Sequence, residues 1–197
     1  SCTSARRRNP RDFYGEPVRV FEMKPDVERY RWLTMRREDD FNVLADLAGT
    51  SASGSWRPLR VEWIDDDLNS RLPKGDFPTL GSTPTLSQRA VDELIDVLVE
   101  NGEILPLDVA TGEPCYVYNV TRTVDALDES RSDLVRFDSG RIMMVKRHAF
   151  RAPELEGVTI FKVPQLRAPV FVTEPLMKRI TQSGLTGFSF RQIWQNP

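Results

Sequence analysis

An α+β fold, mainly antiparallel sheet with one long and one shorter helix packed on it, is what this sequence predicts. Three observations carry the prediction. Segments with two-residue alternation outnumber those with a helical period. They do not alternate regularly with helices, as parallel βαβ units would. Asp138-Ser139-Gly140 between two apolar runs is a hairpin signal. At 197 residues, with 40% apolar and 28% charged residues, the chain has the composition of a soluble globular protein. One domain is the default expectation for that length.

In order, Val18 to Met23 alternates like a half-buried strand, and Tyr30, Trp32 and Leu33 suggest a second extended piece or a short helix. Gly49 to Ser55 is a loop, because glycine and small polar residues supply no core face. Leu59, Val61 and Trp63 alternate with Arg60 and Glu62, and Asp65, Asp66 and Asp67 follow at once. Prolines and glycines exclude regular structure from Leu72 to Pro84.

The clearest helix runs over 87–101. Thr85 and Gln88 have capping-box spacing, Val91, Leu94, Ile95 and Leu98 repeat at helical period, and Gly102 offers a stop. Strands are expected over 104–107, 116–120, 134–137 and 142–145, the last two paired antiparallel. Short extended pieces at 160–163 and 170–172 lead to a second helix with Thr173 as N-cap, Pro175 in its first turn and Gly184 near its end. Gly187 to Phe190 starts a last strand running towards Trp194. The whole reads as a flexible basic arm over 1–15, carrying Arg6, Arg7, Arg8 and Arg11, followed by a single domain over 16–197.

The formal net charge is −2, so no overall field points to nucleic acid or an anionic membrane. No apolar run approaches the roughly 20 residues of a spanning helix, and no apolar stretch follows the arginines as in a secretory signal. A cytoplasmic protein without nucleic-acid or membrane partners is therefore expected.

The chemistry-bearing residues are sparse. The one histidine, His148, follows Lys146 and Arg147 and has no carboxylate or serine at local spacing to orient it, which makes it a surface or sheet residue rather than a general base. Cys2 and Cys115 form no CxxC and, with one histidine, no zinc pattern. Phosphate-cradling glycine motifs and the GxSxG elbow are absent. Two acidic runs, Glu38-Asp39-Asp40 and Asp65-Asp66-Asp67, read as solvated surface, since adjacent carboxylates on an extended segment point to opposite faces and cannot all ligate one ion. No catalytic residue, metal or cofactor is expected.

An ordered series of segments resembles a family of immunity proteins from bacterial polymorphic toxin systems, first catalogued as a domain of unknown function. The series includes Phe77-Pro78-Thr79-Leu80-Gly81-Ser82, Leu86-Ser87-Gln88-Arg89-Ala90, Gly102-Glu103-Ile104-Leu105-Pro106-Leu107, Tyr116-Val117-Tyr118-Asn119-Val120 and Val124-Asp125-Ala126-Leu127-Asp128. It continues through Ile160-Phe161-Lys162 and Val170-Phe171-Val172-Thr173 to Leu185-Thr186-Gly187-Phe188-Ser189-Phe190. The resemblance implies a non-catalytic binder that neutralises a cognate toxin and protects the producing cell and its kin. An adaptor or chaperone for a secreted effector, and an enzyme using carboxylates dispersed in sequence, are the rival readings. For a toxin partner with a basic cleft, Asp65, Asp66 and Asp67 beside Trp63 offer a charged rim and an aromatic anchor at one strand end.

Overall fold

The alternating segments become strands, and the turn residues end them where expected. The computed structural model describes residues 17–47, 49–166 and 168–196; the expected arm over 1–15 lies outside them. Among the described residues, the strands are β1 (Arg19–Pro25), β2 (Leu33–Met35), β3 (Leu59–Trp63), β4 (Thr85–Ser87), β5 (Gly102–Val109), β6 (Cys115–Val120), β7 (Asp133–Arg136), β8 (Ile142–Arg147), β9 (Ile160–Phe161), β10 (Phe171–Thr173) and β11 (Phe188–Gln195). The helices are α1 (Asp40–Asp46), α2 (Gln88–Asn101) and α3 (Glu174–Gln182).

The strands form three sheets. One is antiparallel throughout, in the order β11-β1-β10-β9. The second, β2-β3-β5-β6-β4, is antiparallel except for the pair β3 and β5. That parallel pair requires a crossover, and the connection from β3 to β5 contains β4 and α2. The third is the two-stranded ribbon β7-β8, turned at Gly140 with a φ of 81°.

Helix α2 begins two residues later than Thr85 suggested. Ser87 is the N-cap, its hydroxyl accepting from the Ala90 amide at 3.2 Å, while Thr85 is buried in β4. The hydroxyl cap satisfies an otherwise orphan amide; β4 holds the chain extended through Ser87, so only Ser87 abuts the first turn, and the Thr85 hydroxyl donates to the Thr83 carbonyl instead. The buried stripe is Ala90, Val91, Leu94 and Leu98; Ile95 is exposed, because the buried arc is turned towards Ala90 and leaves Ile95 beyond its other edge. These residues share one core cluster with Phe21 and Val172 of the first sheet, Tyr118 and Val120 of the second, and Leu176 and Ile180 of α3. The Tyr118 hydroxyl donates to the Leu98 carbonyl at 3.0 Å and ties β6 to the helix. At α3, Thr173 stands at the N-cap position but its hydroxyl donates instead to the Val158 carbonyl.

Helix α1 was not anticipated. Its acidic start is solvated only in part: Glu38 and Asp39 are exposed, but Asp40 is buried and ion-paired with Arg57 at 3.2 Å. Leu44 and Leu47 enter a second core cluster with Leu59, Val61 and Leu107. Only seven residues long, α1 is held by this packing rather than by intrinsic propensity.

Glu103 fastens the 49–55 loop to the sheet. Its carboxylate accepts from the Ser51 hydroxyl at 2.6 Å, the Ala52 amide at 2.8 Å, the Ser53 amide at 3.2 Å and the Asn119 side chain at 3.0 Å. Burial alone would raise its pKa; the four hydrogen bonds outweigh burial and hold it at about 2, below the ordinary 4.5. A depressed folded-state pKa contributes stability that is fully present above the unfolded value and lost as pH falls through the folded one. Glu103→Gln is therefore expected to flatten the stability loss between about pH 4.5 and about pH 2, measured by urea unfolding at successive pH values. An unaltered acid limb would assign that loss to other carboxylates.

Candidate functional site

At the end of β3 the chain leaves the sheet and forms an acidic tip. Ile64 anchors its base, its amide donating to the Trp32 carbonyl at 2.9 Å and its own carbonyl accepting from the Arg31 guanidinium at 3.0 Å. Asp66 shapes the tip: one carboxylate oxygen accepts from the amides of Asn69 at 2.6 Å and Leu68 at 3.0 Å, opening a short 3-10 turn over Asn69–Arg71. The Asn69 backbone and side-chain hydrogen bonds hold the Asp66 carboxyl below the usual carboxylate range. Asp65 and Asp67 are exposed and pair with no cation among the described residues. Leu68 beside them is 72% exposed.

Trp63 lies differently. It is 8% exposed, within the core cluster of the second sheet. Its indole N–H donates to the Glu113 carboxylate, which also pairs with Lys74. The Lys74 ammonium sits 4.8 Å from the ring centroid and the Arg31 guanidinium 5.8 Å. Burial would raise the Glu113 pKa, but hydrogen bonds from Lys74, Thr111 and Trp63 hold it at about 2. Trp63 thus supports the strand from which the acidic tip projects, and Leu68 is the large apolar side chain beside the carboxylates. Nothing in the 59–67 segment signals this, because Lys74 and Glu113 come from elsewhere in the chain.

The remaining sequence candidates do not converge. His148 is half-buried, stacked on Phe150 at 5.9 Å and edge-on to Phe171 at 5.7 Å. Burial lowers its pKa, Glu22 opposes this and Arg191 adds to it. Cys115 is a free buried thiol whose pKa burial pushes up to about 11. Among the described residues, no group of three or more His, Cys, Asp or Glu is arranged to hold a metal ion. No helix among them is long and apolar enough to cross a membrane.

The β7-β8 ribbon is a surface that the sequence reading passed over. Among the described residues neither strand pairs with a third, which leaves both edges without a strand partner there. Ile142, next to the turn, is buried, but Phe137, Met143 and Met144 are exposed, the last two by about half. Arg141 lies over the Phe137 ring at 5.1 Å. The signal was present as two adjacent methionines in a strand, a position where one of the pair ordinarily faces a core.

Comparison with known families bears directly on this half of the molecule. Residues 103–195 match the family model of the Immunity protein family (Imm11). No curated protein matches the chain. The Imm11 match begins in β5, ends in β11 and includes the methionine ribbon; the acidic tip and Trp63 lie before it. The resemblance to immunity proteins drawn from short segments is thereby supported by an independent match over a continuous stretch.

Proposed function

We propose that the protein is a cytoplasmic immunity protein that binds a cognate toxin and neutralises it by occupancy, without turnover, cofactor or nucleic-acid partner. The observation that carries this reading is the Imm11 match over residues 103–195. Co-expression with a toxin encoded beside it tests the reading: the protein is expected to rescue growth from toxin made inside the cell, and His148→Ala to rescue equally. Raised toxin secretion without rescue would favour an export adaptor. Rescue that fails in a folded His148→Ala variant would favour an enzyme.

The acidic tip is our first assignment for the toxin contact. Asp65 and Asp67 supply unpaired charge and Leu68 an apolar contact, with Asp66 and Trp63 holding the tip in shape. Clustered carboxylates act mainly on the association rate of a partner with a basic cleft. Asp65→Asn with Asp67→Asn, which spares the Asp66 cap, is expected to slow association about tenfold at low salt and to flatten its salt dependence. Association kinetics unchanged at low and physiological salt would remove the tip from the interface.

The ribbon supports a second assignment. Ordered apolar side chains exposed on a two-edged ribbon are an unusual use of surface for a monomer, and methionine adapts to irregular partners. Met143→Lys with Met144→Lys is expected to leave folding intact and, if the ribbon is the contact, to speed toxin dissociation at least about tenfold. Unchanged dissociation in a folded variant would return the contact to the acidic tip.

A further inference from the structure

The cations of this chain are unevenly placed. Although the net charge is −2, the segment 131–147 carries Arg131, Arg136, Arg141, Lys146 and Arg147 against Asp133 and Asp138. All of these cations are exposed. Arg136 is paired with Glu129 at 2.6 Å, and the others form no ion pair with a described residue. The β7-β8 ribbon is therefore a basic surface as well as an apolar one, with Phe137, Met143 and Met144 exposed on it.

The pairing register restricts how such a ribbon can be met. Val135 pairs with Met144 and Arg136 with Ile142, which leaves Met143 as an extra residue; Leu134 pairs with Val145 and Asp133 with Arg147, which leaves Lys146 as another. Two bulges so close together interrupt β8 and twist its edge, so an added strand finds no regular row of donors and acceptors there. The outward face stays open. Leu134, Ile142 and Val145 turn to the core, whereas Val135 and Met144 oppose one another on the other face.

Helix α2 presents a matching surface. Ile95 and Val99, one turn apart, are 44% and 61% exposed, and Asp92, Glu93, Asp96 and Glu100 beside them are exposed too. Asp96 is held by Arg179 at 2.7 Å and Glu100 lies 4.0 Å from Arg122, while the Asp92 and Glu93 carboxylates meet no cation among the described residues. The one basic residue of α2, Arg89, is bound to Asp76 at 2.9 Å.

We propose that α2 of one copy of the chain lies across the ribbon of another, with Ile95 and Val99 against the methionines and Phe137 and the carboxylates of α2 facing the ribbon's cations. Opposite charges frame apolar side chains on the two surfaces, whereas ribbon on ribbon or helix on helix would set like charges together. Helix and ribbon are different surfaces, so the contact is head-to-tail. One helix on one ribbon covers less than the about 800 Å² per partner of a standard interface, so association falls in the micromolar range. A ribbon occupied by a second copy is closed to a toxin, and the contact itself does not depend on the toxin reading.

Sedimentation velocity of the full chain tests the contact. At about 50 mM salt the mean mass is expected to rise with concentration between about 5 and 500 µM, and association to weaken at least about threefold at about 500 mM. Met144→Glu with Arg147→Glu on the ribbon, and Ile95→Ala with Val99→Ala on the helix, are each expected to weaken self-association at least about tenfold. An equal mixture of the two variants is expected to associate as strongly as one wild-type contact and to stop at a dimer, because one variant supplies an intact helix and the other an intact ribbon. The proposal is overturned by either variant self-associating like the wild type, by a mixture of folded variants that recovers nothing, or by a wild type that stays monomeric at about 500 µM, a result that needs no variant to fold. A monomeric wild type that binds phosphatidylglycerol vesicles, with binding lost in the ribbon variant, overturns it in favour of an anionic lipid surface.

Discussion

Leu94→Ala is expected to lower the unfolding free energy by about 2–5 kcal/mol. Leu94 is 2% exposed on α2, in the cluster where both large sheets and α3 meet. Its truncation removes apolar contacts on several sides and leaves a cavity that helix and strands, fixed by their own hydrogen bonds, cannot collapse to fill. Urea unfolding with a shared slope gives the difference directly. Ile95→Ala is the internal control: with Ile95 44% exposed, a loss under about 1 kcal/mol is expected. Equal losses would mean that α2 is rotated from the orientation described.

Gly187→Ala is expected to cost a comparable amount, about 2–5 kcal/mol, from two sources that add. Gly187 has a φ of 101°, which side-chain-bearing residues avoid, and an added Cβ would lie 2.8 Å from the Phe77 carbonyl oxygen and 3.1 Å from its nitrogen. Those atoms are backbone and are held: the Phe77 amide donates to Thr186 at 3.0 Å, and Asp26 donates to the Gly187 carbonyl at 2.8 Å. Asp76 locks the same junction through Arg89 at 2.9 Å and the Thr186 amide at 2.9 Å. Gly140→Ala separates the two sources. Its φ is also positive, but nothing lies within 4 Å of the added carbon, so strain alone, about 1–2 kcal/mol, is expected. Thermal unfolding in which both alanine variants lose equally would show that the Phe77 backbone yields.

Local pattern made much of the fold legible. Alternation in 59–63 and the turn at 138–140 mark β3 and the β7-β8 ribbon to within a few residues, because strand period and turn conformation are properties of the backbone over short spans. The helical period of 91–98 likewise marks α2. Helix α1 was not legible, since seven residues with Leu44 as their buried apolar anchor, and Leu47 just past their end, carry too little period to register. The N-cap of α2 was displaced for a related reason: Thr85 and Ser87 are both competent caps, and pairing of β4 with β6 keeps the chain extended through Ser87, so the helix opens only there.

The functional surface divides in the same way. Composition, one histidine and the absence of ligand spacings set the expectation of a non-catalytic protein, and an ordered series of short segments set the resemblance to immunity proteins. Which acidic residues stay in solvent was left to tertiary packing: Asp40 is buried against Arg57, while Asp65 and Asp67 remain exposed. The same holds for Trp63, covered by Lys74 and bonded to Glu113. Period and turn chemistry act between near neighbours in the chain, whereas burial and charge pairing depend on which distant segment arrives, and no local pattern encodes that arrival.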